Sequence, residues 1–415
     1  MYVESIQSKK ITKDTIVLMM GLFYPAVHNY IWRILVAFSG ILGIYFSNAV
    51  FDIAVWFLVL GYIVVTSRKP KMSIKTAIIA LAFILITLSS YAFTSYDYFS
   101  LSVLITLLIG TFSFFFQGYF VNIRRVSHTH LFWGAIITLS ISILYSVYSV
   151  GTKDMNLEDN MEFAYIILPS ILIILSQNFT DNKNTIAIIF SVIGTIFLVL
   201  QGTRGPILCL AFFICLMIYK KHGTGKLFYR TTAVILAVIL IFSIPFVQQN
   251  LLELSASIDS SGYSSRFIRM ILKGELSDAN GRDAIKELLL KDIANNPLKI
   301  RGMFADRHAT RGLIDNEYNT VYKNGTYAHS IWLEMIYNWG VFAGIAIFGI
   351  LVYALWNMFR KTNKNNAYIA ILFICTGFVH LFLSGSYLQS NAFFFLVGLV
   401  LNRSIYTKHD DAEFS

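Results

Sequence analysis

Long apolar runs, each closed by a short polar interval, fill most of this chain. A helix needs roughly 20 apolar residues to cross a bilayer. About twelve such runs occur, near 31–47, 50–66, 74–93, 99–120, 130–150, 162–177, 184–201, 205–220, 230–247, 330–357, 367–384 and 387–403. They are continuously apolar rather than alternating, which predicts helices and not barrel strands. The expected fold class is all-α: a polytopic helical membrane protein, with residues 1–415 in one integral membrane domain. A further apolar piece, 15–28, is short and contains Pro25; of a thirteenth span, a re-entrant piece or an interfacial helix, one of the two that do not cross is expected.

One interval breaks the rhythm. From 248 to 328, between the ninth and tenth spans, the chain turns polar and carries Arg266, Arg269, Arg282, Arg301, Arg307 and Arg311. Asn280-Gly281 signals a turn. After it, Ala284, Ile285, Leu288, Leu289 and Ile293 recur at the spacing of an amphipathic helix starting at Arg282. Asn296 before Pro297 ends that helix, because the residue ahead of a proline resists helical backbone. With a second helical piece expected over 265–273, the interval reads as a small helical cap on the membrane mouth.

Charge then gives the cap a side. Only 13% of residues are charged, about half the share of a soluble domain, so the net charge of +10 is concentrated in few places. Lys9, Lys10, Lys13, Arg68, Lys69, Lys71, Lys75, Arg124, Arg125, Lys183, Lys220, Lys221, Lys226, Arg230, Arg360, Lys361, Lys364, Arg403 and Lys408 fall at the termini and in alternate loops. The short loops between hold only Lys153 and Arg204. The positive-inside rule puts the first set in the cytoplasm, with both termini, and the cap outside. No basic stretch is interleaved with stacking aromatics, so nucleic acid is not an expected partner; the lipid bilayer is. Cys209, Cys215 and Cys375 lie within spans and read as small apolar residues, not as a disulfide or metal set.

Three places carry candidate chemistry. The hairpin Gln201-Gly202-Thr203-Arg204-Gly205-Pro206 puts an arginine on the face where the charge rule disfavours it, next to glycines that allow close approach to a ligand. A snorkelling arginine at a helix end is the bland alternative. In the cap, Arg282, supported by Arg266 and Arg269, offers the planar fork that suits phosphate. Against this, the 11 Lys/Arg and 10 Asp/Glu of the segment also fit a solvated loop. Finally, Tyr327-Ala328-His329-Ser330 closes the cap: a histidine there can serve as a base near neutral pH, or be structural within an aromatic belt.

These same segments, "QGTRGP", "GRDAIKELLLKDIANNPLKIRG" and "AHSIWLEMIYNWGVFAG", follow one another in order. Together they resemble the signature of the O-antigen ligase and O-antigen/capsule polymerase superfamily, over roughly 185–400. Two positions depart from that pattern: Ser330 stands where Asn is frequent after the histidine, and Thr203 where Ser is usual before the first arginine. The resemblance implies a C-type membrane glycosyltransferase in a bacterial cytoplasmic membrane, using undecaprenyl-pyrophosphate-linked glycans as donor and acceptor. It implies that Arg204 and Arg282 engage the pyrophosphate and that His329 sits by the acceptor hydroxyl. Tyr327 joins the expected substrate-binding set. A chain-length regulator and a flippase are the implied protein partners.

A sugar bonded to a diphosphate already has its leaving group, so two arginines could stabilise the departing charge without cofactor or metal. Inverting, metal-independent polymerisation of repeat units is therefore the leading expectation, and the late segment "LFLSGSYLQSNAFFFLVGLV" looks more like the polymerases. A ligase moving finished glycan onto lipid A-core or protein is the alternative. A flippase for the same lipid is a third, disfavoured because it would want charges lining mid-span and because no internal repeat is evident.

Overall fold

A computed structural model of the chain describes residues 11–42, 48–66, 73–94, 99–152, 157–179, 184–201, 203–242, 249, 253, 282–315, 320–323, 325–362 and 366–406. It is a helical assembly. α1 runs Lys13–Leu42, α2 Asn48–Thr66, α3 Ile74–Phe93, α4 Leu101–Phe120, α5 His128–Thr152, α6 Leu157–Ser176, α7 Thr185–Leu200 and α8 Arg204–Phe242. The cap contributes α9 (Arg282–Asn295), α10 (Ala305–Ala309), a two-residue antiparallel pair β1 (Ile314–Asp315) and β2 (Thr320–Val321), and α11 (Ile331–Trp339). α12 (Val341–Lys361), α13 (Ala367–Ile374), a π-helical turn (Cys375–Val379), α14 (His380–Leu383) and α15 (Asn391–Leu401) complete the chain. Arg266, Arg269 and the helix expected over 265–273 lie outside the described residues.

Five described helices are long and apolar enough to cross a membrane: Ile74–Phe93, Leu101–Phe120, His128–Tyr148, Arg204–Gly223 and Val341–Lys361. Shorter apolar helices include Thr185–Leu200, Ala367–Leu383 and Asn391–Leu401. α3, α7 and α12 turn Ile78, Leu85, Ile189, Ile196, Ile350 and Tyr353 outward. Apolar faces of that extent belong against lipid, and the chain is read as a helical membrane protein. Inside, α4 and α15 approach at Gly118 and Gly398: a methyl group on either would sit 2.1 Å from the carbonyl oxygen of Phe395 or Phe115. Small residues let two backbones come this close.

Two expectations change. Residues 15–28 are not a separate re-entrant or interfacial piece: they form the first half of α1, and they contribute the buried Thr15, Val17, Leu18, Leu22, Phe23 and Ala26. Pro25 is accommodated within the helix. α1 begins beside the loop after α4, where Asp14 Oδ1 accepts from the Asn122 amide at 2.8 Å, and reaches Ser142 of α5 through the Tyr30 hydroxyl at 2.5 Å. The two apolar pieces thus make one passage through the bundle. The run 330–357 is likewise two helices. Gly340, at φ 77°, separates the nine-residue α11 from α12, so His329 and Glu334 belong to the cap and not to a span.

The helices share two faces. On one, Thr12 Oγ1 donates to the Arg125 carbonyl at 2.8 Å, Asn402 Nδ2 to that of Val121 at 2.6 Å, and Lys220 Nζ to that of Phe359 at 2.6 Å; His128 meets the Tyr368 hydroxyl at 2.7 Å. Lys13, Arg124, Arg125, Lys220, Lys221, Arg360 and Lys361 gather there. On the other, Phe99 packs on Phe304 at 4.9 Å between ring centroids, and Gln201 Nε2 reaches Ser146 Oγ at 3.5 Å. That second face carries the cap.

Candidate active site

α9 is positioned by its apolar stripe. Ile285, Leu289 and Ile293 are buried against Ala305, Ala328, Leu333 and Tyr337, the spacing anticipated from the sequence. Its first residue, Arg282, is half-buried, and its Nη1 donates to the carbonyl of Leu383 at 2.6 Å. Leu383 ends α14, so this bond ties the start of α9 to the turn 384–390. Among the described residues no carboxylate pairs with Arg282.

His329 sits in left-handed backbone at φ 54°, which costs a non-glycine residue energy and persists where the surroundings enforce it. Its ring lies 4.0 Å from that of Tyr327, and Nε2 is 3.4 Å from Thr326 Oγ1. Nδ1 is buried with no hydrogen-bond partner among the described residues. Burial pushes the imidazole down to about 3, and the positive charges of Arg282, Arg307 and Lys286 add to the shift. His329 is therefore neutral at physiological pH. The Tyr327 hydroxyl points at Ser384 Oγ, 3.4 Å away.

The hairpin before α8 joins this group through Tyr165 of α6. A Cβ at Gly205 would lie 1.7 Å from the Tyr165 hydroxyl, so only glycine fits and α8 starts in contact with it. Tyr165 is close enough to Arg282 and Tyr327 to feel both electrostatically, and its ring is 4.0 Å from that of His380. Arg204, half-buried, is the first residue of α8 and adjoins Gly205. Beside it the Thr203 hydroxyl is buried without a partner among the described residues. Gly205, Arg282 and Tyr327 thus lie near one tyrosine on the cap face, with His329 against Tyr327 and Arg204 next to Gly205 in the chain.

Tyr165, His380 and Ser384 were not singled out from the sequence. Tyr165 is one aromatic among many in an apolar run, and nothing local distinguishes it. Ser384 lies in the polar break "SGSYLQSN" between two spans, a signal that was available.

Two other cap arginines have a different role. Arg307 is 2% exposed; its Nη1 is 3.2 Å from Asp306 and 3.6 Å from Glu334, and its Nη2 donates to Gln389 Oε1 at 2.9 Å. Asp306 Oδ2 accepts from the Ala328 amide at 2.9 Å. Glu334 accepts from the Ser386 hydroxyl and from the Tyr387 amide at 3.2 Å. Burial, and then Asp306, push the Glu334 carboxyl well above the carboxylate range against the pull of Arg307. Arg301, 5% exposed, donates through Nε to Asp292 at 2.9 Å and through its other nitrogens to the carbonyls of Lys299, Asp292 and Asn296. Both side chains are saturated and hold the cap together.

The geometry defines a class: a helical membrane protein with a partly desolvated cationic site at one face. Residues 189–348, which contain Arg204, Arg282, Tyr327 and His329, match the family model described as O-Antigen ligase, in support of the resemblance carried by the three motifs. No curated protein and no solved structure matches the chain.

Proposed function

We propose that this protein is a glycosyltransferase that polymerises undecaprenyl-pyrophosphate-linked repeat units of an O-antigen or capsule. The observation that carries the reading is that the three motifs meet near Tyr165, through Gly205 beside Arg204, through Arg282, and through Tyr327 with His329 against it, on the face opposite the basic loops. The positive-inside rule makes that face extracytoplasmic. Arg282, held by a carbonyl and matched by no carboxylate among the described residues, supplies charge for the donor diphosphate, and Arg204 supplies it from the start of α8. In the reaction the acceptor hydroxyl oxygen bonds to C1 of the donor sugar with inversion. The C1–O bond to the diphosphate breaks, and its electron pair leaves on the carrier pyrophosphate, where the two guanidiniums stabilise the growing charge.

His329 faces the acceptor as a neutral imidazole with an open Nδ1. Alone it is a poor base. Donor binding brings negative charge that offsets Arg282, Arg307 and Lys286, and so raises its affinity for the hydroxyl proton. A ligase is the second reading, favoured by the description of the matching family model. Both are tested with purified protein, lipid-linked repeat units and no energy source. A ladder of elongated lipid-linked glycan supports polymerisation. Product formed only when lipid A-core or an acceptor protein is added would replace it by the ligase. Translocation without any new glycosidic bond would remove both.

A further inference from the structure

A second feature on the cap face takes no part in the arginine site. A cavity of about 310 Å³ opens between α2, α4 and the segment 388–394, under the cap residue Phe304. That is near the lower end of small-molecule sites, roughly 300–1,000 Å³. Its walls combine three aromatic rings, Trp56, Phe304 and Phe394, with neutral hydrogen-bonding side chains, Ser102, Thr106, Gln389 and Asn391. No charged residue is among the described residues that line it. Ser102 and Thr106 stand one turn apart on α4 and therefore on one face of it. The indole N–H of Trp56 is buried without a hydrogen-bond partner among the described residues, which costs free energy until something accepts from it.

We infer that this cavity binds a neutral sugar unit of the glycan, so that one part of the chain is held here while its reducing end, or its partner's, is held at the arginines. The inference rests on the proposed glycosyl transfer for its choice of ligand. Aromatic faces cover the apolar C–H faces of a sugar ring, while hydroxyl and amide groups meet its hydroxyls. An isoprenoid tail would leave Trp56 Nε1 and the lining hydroxyls unsatisfied; a phosphate would meet no cation among the described lining residues. Arg307 connects the two sites. Its guanidinium fixes Gln389 in the cavity wall at 2.9 Å and lies over Phe304 at 4.8 Å, while also lying 5.8 Å from the Tyr327 ring.

The test uses the full-length protein in nanodiscs and two probes: delipidated glycan released by mild acid from the cells that make it, and farnesyl phosphate. Thr106→Val and Asn391→Leu remove hydrogen bonding at nearly constant volume. Loss of a hydrogen bond at each is expected to weaken binding of the delipidated glycan by about tenfold for the pair, with farnesyl phosphate affinity unchanged and the KM for lipid-linked acceptor raised more than kcat falls. Thr106→Val alone, the milder change, should show a smaller effect in the same direction. Glycan binding unaffected in both variants, or undetectable in the wild type, overturns the inference. Weakened farnesyl phosphate binding with glycan binding intact also overturns it, and assigns the cavity to lipid. Glycan binding that depends on Thr106 and Asn391 in a protein that forms no glycosidic bond would uphold the cavity and remove the proposed reaction instead.

Discussion

Arg307 and Arg282 belong to the same cap and both act on His329 electrostatically, yet their surroundings differ. Arg307 is sealed in, with Asp306, Glu334 and Gln389 around its guanidinium. Arg282 is half-exposed and, among the described residues, donates to the Leu383 carbonyl with no carboxylate beside it. A buried arginine must carry its counterions with it, because desolvation would otherwise exceed what folding can supply. An arginine intended for an anionic ligand must keep its charge uncompensated until the ligand arrives. The difference teaches that a count of cap arginines says little about function; their counterions set the scaffold arginines apart from the candidate proposed for the site.

The comparison is broken most easily at Arg307. Arg307→Leu strips the cation from two buried carboxyl groups, and breaking such a cluster costs about 3–5 kcal/mol. The variant should unfold at markedly lower temperature in detergent and lose activity with its fold. A variant as stable as wild type would move Arg307 from scaffold to site.

Arg282→Ala should do the opposite. Turnover is expected to fall by roughly 10²–10³, with the melting temperature kept. Arg282→Lys should recover only part, since a point charge lacks the planar fork. Stable protein with near-normal polymer would return Arg282 to the bland reading of a solvated loop residue.

The charge around His329 has a thermodynamic signature. Its folded value is about 3, below the unfolded value of about 6.5, so the unfolded chain binds the extra proton first. Stability tied to the neutral ring is fully present above about pH 6.5 and is lost as pH falls towards 3. By pH 5 wild type should have lost about 2 kcal/mol relative to His329→Gln, measured as the change in unfolding free energy between pH 7.5 and 5. Parallel pH dependence in the two proteins would show that His329 is not buried among cations. Smallest is the effect of Tyr337→Phe. It removes the 2.7 Å hydrogen bond from the Tyr337 hydroxyl to Asp292 but leaves Arg301 in place, for about 1 kcal/mol in stability and unchanged turnover. A fall in turnover without a fall in stability would mean that the Arg301 cluster reaches the chemistry.

Much of this was legible in the sequence. Hydropathy marked α3, α4 and α5 because a bilayer imposes length and apolarity on any helix that crosses it, and it marked the shorter apolar α7 and α15 as well. The period of Ile285, Leu289 and Ile293 marked α9, since a helix with one buried face must repeat that way. Arg204, Arg282 and His329 stood out as candidates because cations and a histidine on the face where positive charge is disfavoured need a reason to be there, and Tyr327 because it adjoins His329 in the same motif. Hydropathy misjudged the ends of elements. It split α1 at the polar residues His28 and Asn29, and it ran α11 into α12 across Gly340, because an average over a window cannot register one left-handed residue.

Only the tertiary structure decided which residues meet. The packing of the helices brought Tyr165 of α6 against Gly205 at the start of α8 and against His380, the first residue of α14, contacts far apart in the chain. It also separated Arg301 and Arg307 from Arg282, since a counterion is a neighbour in space and not in sequence. The sequence by itself determined what each segment could be, because helix formation and lipid exposure act over a few consecutive residues. Pairing of charges, the pocket beneath Phe304 and the neutrality of His329 depend on distances that only the packed helices set.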